Sequence, residues 1–360
     1  MSQVLYRKYR PKDFSELVGQ RHIVTAIPSS LKMGRVAHAY LFSGRRGVGK
    51  TSTDRLIAKG LNCLNKNKPC NECESCDKFN AGRAMNLIEI DAASNRSIDD
   101  IKELREGVRF APAEGKYKVY IIDEVHQLSR DAFNALLKTL EEPPAHAVFI
   151  LATTELDKVP ATIISRTQHY DFHRPTVQQI SGRLLDLAGR ENIKMEKEAA
   201  HLIALAAEGS LRDAESILGQ VIAVEDKQIT KADVEIILGL PRREAARAMF
   251  AHIAQKDAPK ALALIQDLSD NGYDLGYFSK LLMQYFRSAV FMKTDPALKK
   301  YIEDDFLPEE FECLATHLPA FTDADLSKGL NIIATNMQTF KKSSIPQLPL
   351  ELTVIELINR

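Results

Sequence analysis

A glycine-rich segment near residue 50 carries the clearest chemical signal in this sequence. Gly44-Arg-Arg-Gly-Val-Gly-Lys-Thr51 matches the pattern Gly-x-x-x-x-Gly-Lys-[Ser/Thr] in full. An apolar run, Ala39 to Phe42, precedes the segment, and a helical pattern, Thr51 to Leu61, follows it. The backbone N–H groups of such a loop, together with the N-terminus of the helix, can surround phosphate oxygens. We therefore expect a nucleoside triphosphate to bind here.

Individual residues of this loop have expected roles. Lys50 would reach the β- and γ-phosphates, and the Thr51 hydroxyl would bind Mg²⁺. The rest of the phosphate cradle is expected to consist of Gly44, Arg45, Arg46, Gly47, Val48, Gly49 and Ser52. A glycine turn that merely joins a strand to a helix is the alternative interpretation.

Carboxylates and hydroxyls follow two later apolar runs. The run Val119 to Ile122 ends at Asp123 and Glu124, and another run ends at Thr153 and Thr154. Beside a phosphate loop, Asp123 would hold the magnesium shell and Glu124 would polarise the attacking water as general base. Either threonine could sense the γ-phosphate or orient the water. Polar residues also end many strands without any such role, and that interpretation stays open.

Four of the five cysteines lie within 14 residues of one another. Cys63, Cys70, Cys73 and Cys76 follow the spacing Cys-x6-Cys-x2-Cys-x2-Cys. Four thiolates complete a tetrahedral shell, so we expect a structural Zn²⁺ site. An iron–sulfur cluster or free thiols are the alternatives. Cys313 stands alone in a helical pattern and is expected to be a small buried residue.

Composition limits the class of protein. The chain has 360 residues, of which 45% are hydrophobic and 27% charged, and Lys plus Arg equals Asp plus Glu at 48 each. Net charge therefore argues neither for nor against nucleic acid, and a local basic face would be needed. No long apolar segment or secretory signal is visible, so we expect a cytoplasmic protein.

Apolar runs alternate with helical patterns up to about residue 172, which predicts a doubly wound α/β domain with a parallel sheet. Beyond this point the strand signal largely disappears. We expect domains at residues 1–173, with the cysteine insertion at about 62–80, then a small helical domain at 174–239 and a second helical domain at 242–360. Pro28 should start a new turn in, or kink, an otherwise helical stretch. Two interpretations are open for the start of the helix that follows Ser97. Ser97 forms an ordinary N-terminal cap, or the first N–H groups of the helix and Arg96 bind a phosphate.

Five segments together resemble one protein family. They are Tyr6 to Pro11, Phe14 to Gln20, His38 to Gly44, Phe133 to Pro144 and Gly209 to Asp213. With the phosphate loop and the Asp–Glu strand, they resemble the bacterial DNA polymerase III gamma/tau family of AAA+ clamp-loader ATPases. The resemblance is specific over roughly residues 4–220 and weak beyond 240. It implies an AAA+ sheet domain, a helical lid and a carboxyl-terminal oligomerisation collar.

The resemblance also implies residue roles. Arg166 would be an arginine finger that reaches the ATP of a neighbouring subunit, whereas Arg212 would touch the γ-phosphate bound by its own chain. The segment that closes over the adenine would include Tyr9, Arg10 and Val18. Two departures stand out: Thr167 occupies a usual cysteine position, and Asp54 stands where a small apolar residue is typical, so its carboxylate could weaken nucleotide binding.

As a function, the resemblance implies an ATP-driven motor subunit that loads a sliding clamp onto primer–template DNA. Its expected partners are the other clamp-loader subunits in a hetero-oligomeric ring, the clamp, DNA bound without sequence preference, and single-stranded-DNA-binding protein. ATP, Mg²⁺ and Zn²⁺ are the expected cofactors. A non-catalytic scaffold subunit of the same kind of ring is the main alternative, and a branch-migration helicase motor is a third.

Overall fold

The computed structural model describes residues 4–95, 97–224, 227–241, 243–295, 297–298, 302, 308–337, 339–340 and 343–359. Arg96, a candidate phosphate contact, and Arg242, the first residue of the predicted last domain, lie outside these ranges. The chain folds into two compact units, Met1–Lys231 and Ala232–Arg360.

A five-stranded parallel sheet forms the centre of the first unit. Its strands are β1 (Ala39–Ser43), β2 (Leu87–Asp91), β3 (Lys118–Asp123), β4 (Ala147–Thr153) and β5 (Gln168–Asp171), in the spatial order β2-β3-β4-β1-β5. Every residue of β1 and β4 is buried, as expected for strands covered on both faces. The predicted parallel α/β fold is confirmed. The edge strand β5 was not predicted, because its residues are polar and mostly exposed.

Seven helices accompany this sheet: α1 (Leu5–Lys8), α2 (Arg21–Met33), α3 (Lys50–Leu61), α4 (Glu74–Asn80), α5 (Ile98–Val108), α6 (Arg130–Glu141) and α7 (Ala161–Ile164). Helices α2 and α3 cover one face, and α5 and α6 cover the other. Single 3-10 turns lie at Phe14–Glu16, Val125–Gln127 and Leu156–Lys158. One core contains the apolar faces of α5 and α6, and the other contains those of α2 and α3. Ser97 and Asp100 form a reciprocal capping box at the start of α5, so the ordinary cap is the observed arrangement.

Helix α2 continues through Pro28, so the prediction of a new turn at this residue was wrong, and the alternative, a kink, stays a prediction. A proline inside a helix removes one backbone hydrogen bond and costs about 3 kcal/mol or more. Ile23, Ile27 and Leu31 are almost fully buried on one face of the helix, on both sides of the proline. This burial offsets the loss and stabilises a single helix across the proline.

A small helical section completes the first unit. It contains α8 (Val177–Arg190), α9 (Lys197–Ala206) and α10 (Leu211–Val224), with a two-stranded parallel ribbon of β6 (Lys194–Met195) and β7 (Gln228–Ile229). Ile180, Leu184 and Leu218 are fully buried among these helices. The ribbon is a small departure from the prediction of helices alone.

The second unit is helical within its described residues. Helix α11 (Lys231–Ile237) begins at the last residue of the first unit, and is followed by α12 (Arg243–Ala254), α13 (Ala258–Asp270), α14 (Leu275–Thr294), α15 (Pro308–His317), a 3-10 turn at Leu318–Ala320, α16 (Asp323–Met337) and α17 (Leu348–Ile358). Phe250 stacks on Phe321 and meets the edge of Phe286 in the core. Cys313 is half-buried rather than buried, with its Sγ 3.7 Å from His317 Nδ1. Among the described helices, none is long and apolar enough to cross a bilayer.

Candidate nucleotide and metal sites

A cavity of about 490 Å³ lies where the glycine-rich loop, the N-terminal segment and the start of α10 meet the carboxyl ends of β2 and β3. Most of the predicted site residues line it: Arg10, Val18, Arg46, Gly47, Val48, Gly49, Lys50, Thr51, Ser52, Asp123, Glu124 and Arg212. Its volume is in the usual range for small-molecule sites. Among the predicted residues, Gly44, Arg45, Tyr9, Thr153, Thr154 and Arg166 do not form part of its wall.

The loop owes its shape to glycines with positive φ. Gly47 and Gly49 have φ values of 77° and 107°, which side chains rarely adopt. A Cβ at Gly47 would lie 2.0 Å from Ser210 Oγ, because the start of α10 packs against the loop. Gly49 caps α3 without any side-chain hydrogen bond, so the first N–H groups of the helix are open to an anion.

Lys50 is folded back onto the loop. Its Nζ donates to the carbonyl oxygens of Gly44 and, at 3.0 Å, of Arg45. Burial lowers the pKa of the Lys50 ammonium, although the carboxylates of Glu124 and Asp123 oppose that shift. A buried cation held by neutral carbonyls would gain more from a phosphate, so this lysine is placed to exchange its partners when an anion arrives.

Thr51 and Asp123 face each other beside the lysine. Thr51 Oγ1 and Asp123 Oδ2 are 3.5 Å apart, while Asp123 Oδ1 accepts the Glu124 N–H. Burial, followed by the charge of Glu124, raises the pKa of Asp123. A hydroxyl and a buried carboxylate with one oxygen turned toward it are hard oxygen donors, the kind that Mg²⁺ prefers. The donor set therefore fits a magnesium ion.

Glu124 is held in an unusual conformation. Its backbone lies in the left-handed region with φ 49°, which is uncommon for a residue other than glycine. Its Oε2 accepts hydrogen bonds from Thr154 Oγ1 at 2.9 Å and from the Thr154 N–H at 3.2 Å. The two predicted threonines therefore lie behind the carboxylates rather than in the cavity wall, and Thr154 fixes the position of the glutamate.

His126 lies between Thr153 and Glu124. Its Nδ1 lies 2.9 Å from Thr153 Oγ1 and 3.4 Å from Glu124 Oε2, and its Nε2 lies 3.2 Å from Glu155 Oε1. The imidazole is almost fully buried. His126 was not predicted, although its place two positions after Glu124 could have indicated it.

Asp54 is the least satisfied group near the site. Its side chain is fully buried on α3, and within the described part of the chain neither of its oxygens has a hydrogen-bond partner. Burial raises the pKa of Asp54 well above its usual range, and the charge of Asp123 adds to the shift. An unpartnered buried carboxyl of this kind typically costs about 1–3 kcal/mol.

Arg212 lies at the start of α10 and reaches the N-terminal segment. Its guanidinium lies 4.9 Å from the centre of the Tyr6 ring. A neighbouring arginine, Arg183, is mostly buried and donates to the Tyr9 carbonyl at 2.8 Å and to Glu215 at 3.3 Å. Tyr9 is thus held through its backbone, and the helical section is tied directly to the segment that borders the cavity.

Arg166 lies outside the wall of the nucleotide cavity. Its Nη2 pairs with Glu141 Oε1 at 2.8 Å, and its side chain is about one third exposed. The hydroxyl of Ser165 and the carbonyl of Thr162 accept further hydrogen bonds from Nη1. The guanidinium is therefore displayed at the surface of α6 and α7, outside its own chain's cavity.

The cysteine cluster is compact. Sulfur atoms of Cys63, Cys70, Cys73 and Cys76 all lie within 4.8 Å of one another, and Cys70 Sγ and Cys76 Sγ are 3.9 Å apart. Zn–S bonds of about 2.3 Å place tetrahedral sulfurs about 3.8 Å apart. Backbone N–H groups of Glu72 and Cys73 help to lower the pKa of Cys70 to about 6. The four thiols therefore fit a tetrahedral zinc ion.

Lys59, on the same helix as Lys50, secures the insertion. Its buried Nζ donates to the Lys12 carbonyl at 2.7 Å, to Asn71 Oδ1 at 2.6 Å and to Asn80 Oδ1 at 3.0 Å. All three of its protons are used. This lysine therefore connects α3, the cysteine loop and the N-terminal segment.

Several other residues of the cavity wall were not predicted. They are Tyr6, Arg7, Pro11, Glu16, Leu17, Asp91, Ala93, Arg183, Leu211 and Glu215. Gln20 was also missed, although a glutamine at 1% exposure supports the loop by donating to the carbonyls of Val48 and His173. Single arginines and glutamines look like surface residues in a sequence, so only their neighbours in space reveal them.

Three family models match successive parts of the chain. Residues 19–176 match the DNA polymerase III delta subunit model, and residues 179–227 match the ATPase lid domain of the DNA polymerase III clamp loader subunit. Residues 229–360 match domain III of DNA polymerase III subunits gamma and tau. Together they cover most of the sequence.

Individual relatives agree. The chain is 40% identical over 357 residues to DNA polymerase III subunit tau of Bacillus subtilis (strain 168), covering 99% of this chain and 63% of that protein. It is 39% identical over 287 residues to DNA polymerase III subunit gamma of Buchnera aphidicola subsp. Acyrthosiphon pisum (strain APS), covering 79% of each. The solved structure of the Thermotoga maritima RuvB Holliday junction branch migration motor is 20% identical, covers 70% of this chain and 80% of that one, and has a TM-score of 0.51.

The RuvB likeness concerns the fold alone. The chain spans less than two thirds of the Bacillus subtilis tau subunit. The likeness to the Buchnera gamma subunit extends over most of both proteins. The chain therefore belongs to the DNA polymerase III gamma/tau subunit family.

Proposed function

We propose that this chain is an ATPase motor subunit of a DNA polymerase III clamp loader. The observation that carries the proposal is the convergence of the glycine loop, Lys50, Thr51, Asp123 and Glu124 on one cavity. Family membership supports the same role. The combination of an anion cradle, an oxygen-donor pair and a positioned glutamate is what phosphoryl transfer to water requires.

Different residues of the cavity would bind the phosphates, hold Mg²⁺ and activate the attacking water. The open N–H groups of α3 and the Lys50 ammonium would bind the phosphates, and Thr51 with Asp123 would hold Mg²⁺. A bound magnesium ion would draw negative charge from the phosphate oxygens. Glu124 would accept a proton from the attacking water once it leaves Thr154.

Roles near the cavity rim are part of the same proposal. Arg212 would contact the γ-phosphate after leaving Tyr6, and Arg10 and Val18 would border the base. The guanidinium of Arg166 would complete the pocket of a neighbouring subunit, and its partly exposed position outside the cavity of its own chain supports this role. Binding of ATP would favour the clamp- and DNA-binding state, and hydrolysis would end it.

The four cysteines would hold a structural Zn²⁺. A closed shell of four thiolates leaves no position for substrate, so zinc would cross-link the insertion rather than take part in hydrolysis. The insertion lies between α3 and β2, at the far end of the helix that starts at Lys50. Its role would therefore be to anchor that helix.

The proposal includes the assembly in which the chain would act. The chain would act in a multi-subunit ring with a sliding clamp and primer–template DNA, and single-stranded-DNA-binding protein is a further predicted partner. Cytoplasmic location and the three predicted domains, 1–173, 174–239 and 242–360, likewise remain predictions from the sequence.

The decisive experiment is to measure phosphate release by the chain in an assembled ring with clamp and primed template. Glu124→Gln should retain ATP binding but lower turnover about 10²- to 10⁴-fold, because it removes the general base. Glu198→Gln, at an exposed position of α9, is the matched control and should turn over normally. Unchanged turnover in Glu124→Gln would favour the alternative function, a non-catalytic scaffold subunit. The buried Asp54 carboxyl beside the site is the feature that favours this alternative, because a carboxylate there would weaken nucleotide binding.

A second variant tests action between subunits. Arg166→Ala should leave ATP binding by the chain nearly intact and lower hydrolysis in the assembled ring by about 10³-fold or more, the range for arginine fingers. Arg21→Ala, at an exposed position of α2, serves as the control. Equal loss of binding and hydrolysis would show that Arg166 acts within its own chain.

A further inference from the structure

A second cavity, of about 800 Å³, lies beside the nucleotide cavity and is strongly basic. It is bordered by the N-terminal segment, the outer face of α3 and the end of α4. Its wall contains six cationic side chains: Arg7, Lys8, Arg10, Lys12, Arg55 and Lys59. Among the described residues of the wall, Glu89 alone is acidic. A chain with no net charge thus concentrates positive charge at one place.

Internal ion pairs neutralise only part of this charge. Arg55 donates two hydrogen bonds to the Glu89 carboxylate, and Lys8 pairs with Glu191 at 2.6 Å. The three acceptors of Lys59 are neutral oxygens. Lys12 is exposed at the rim, and its backbone position is fixed by the hydrogen bond from Lys59.

Within the described residues, the charge of Arg10 is compensated less than that of Lys8 or Arg55, each of which has an ion pair. Its side chain is half-buried, and no carboxylate pairs with it among the described residues. Burial, followed by the charge of Arg55, lowers the pKa of Arg10. A half-buried guanidinium beside other cations is unfavourable unless an anion neutralises it.

We propose that this cavity, which we call the basic cavity, binds a phosphate group outside the glycine loop. Guanidinium and ammonium groups pair well with phosphate oxygens, and Arg10 could do so with two N–H groups. Phe79 is the one aromatic side chain among the described wall residues, so base stacking contributes little and binding should not depend on sequence. The phosphate could come from free polyphosphate or from a nucleic-acid backbone.

The test uses the full chain carrying Lys50→Ala, which weakens phosphate binding at the glycine loop. Fluorescence anisotropy with a labelled 12-residue oligothymidylate measures binding as a function of salt. Adding Arg10→Gln and Lys12→Gln should weaken binding about tenfold and lower the slope of log affinity against log salt by about 1.4, which is about 0.7 per lost phosphate contact on a single strand. Lys32→Gln, at an exposed position of α2, is the matched control and should change neither quantity.

Calorimetric titration with tripolyphosphate separates the two sources. Competition between tripolyphosphate and the oligonucleotide would support a phosphate site open to both, and binding of tripolyphosphate alone would support a free anion. Absence of binding by either ligand, or binding unaffected by the double substitution, would overturn the proposal. If the double variant unfolds, Lys12→Glu at the exposed rim gives the same test. Because no ATP turnover is measured, failure of the proposed ATPase would leave this result unaffected.

Discussion

Helix α3 carries three buried charged side chains, and the surroundings of two of them differ sharply. Asp54, in the first half of the helix, lies next to the nucleotide cavity and has no hydrogen-bond partner among the described residues. Lys59, in its second half, faces the cysteine insertion and has all three protons bonded. One side chain is left unsatisfied, and the other is satisfied from three separate segments.

The same contrast extends to the regions around them. At the nucleotide cavity, Lys50 is held by carbonyls, Asp123 has a raised pKa and Glu124 has a left-handed backbone. At the insertion, the polar groups around Lys59 are paired with one another and with the Lys12 carbonyl of the N-terminal segment. A site that exchanges ligands keeps unbalanced charge that a ligand can relieve, whereas a structural module does not need to.

The largest expected effect concerns the insertion. Cys76→Ser should remove the zinc ion, measured as bound metal per chain, and lower the free energy of unfolding by about 3 kcal/mol or more, because metal binding contributes directly to folding. Cys313→Ser, far along the sequence in α15, should retain one zinc and normal stability. A full zinc content in Cys76→Ser would contradict the tetrahedral site.

Lys59→Met should come next, with a loss of about 2–4 kcal/mol in urea unfolding, because a buried ammonium and three hydrogen bonds disappear together. Lys66→Met changes an exposed lysine of the same insertion and is the control. ATP affinity should stay within about twofold in both variants. Equal stability of the two variants would show that the Lys59 contacts contribute little.

Replacing Asp54 should stabilise the chain, whereas replacing Lys59 should destabilise it. Asp54→Ala should raise the free energy of unfolding by about 1–3 kcal/mol at pH 7.5, because it removes a buried carboxyl without partners. Asp54→Asn, which keeps the shape and removes the charge, should gain less than the alanine variant. Loss of stability in both would mean that Asp54 has a partner in solution.

The contribution of Asp54 to the free energy of unfolding should depend on pH. Because the pKa of Asp54 is raised in the folded chain, the folded state holds this proton where the unfolded chain, with a pKa of about 4, has lost it. The contribution of Asp54 to stability therefore falls as pH rises above about 4 and levels off above the raised pKa. The gain from Asp54→Ala should be larger at pH 7.5 than at pH 4.5, as urea unfolding at the two pH values can show.

Local sequence patterns were sufficient for the buried elements. Helix α5 begins at Ile98, directly after Ser97, as predicted, because its capping residues are local. Strand β4 ends at Thr153, the first of the two threonines predicted to end this apolar run. The edge strand β5 could not be recognised, since half-exposed polar residues form a strand only when β1 offers its edge.

The site was predictable in composition but not in arrangement. The loop pattern identified Lys50, but not that its Nζ rests on loop carbonyls. The acidic strand end identified Glu124, but its attachment to Thr154 depends on the alignment of two strands. Buried pairs such as Arg183–Glu215 join residues far apart in sequence, so no local pattern could reveal them.

Binding of Mg–ATP to the isolated chain tests the central claim most directly. Calorimetric titration should show one saturable site, and Lys50→Ala should weaken it about 100-fold or more, because a buried charge-assisted contact to phosphate is lost. Lys32→Ala should bind as the unmodified chain does. Absence of saturable binding, or equal affinity in the Lys50→Ala variant, would contradict a nucleotide site at the glycine loop.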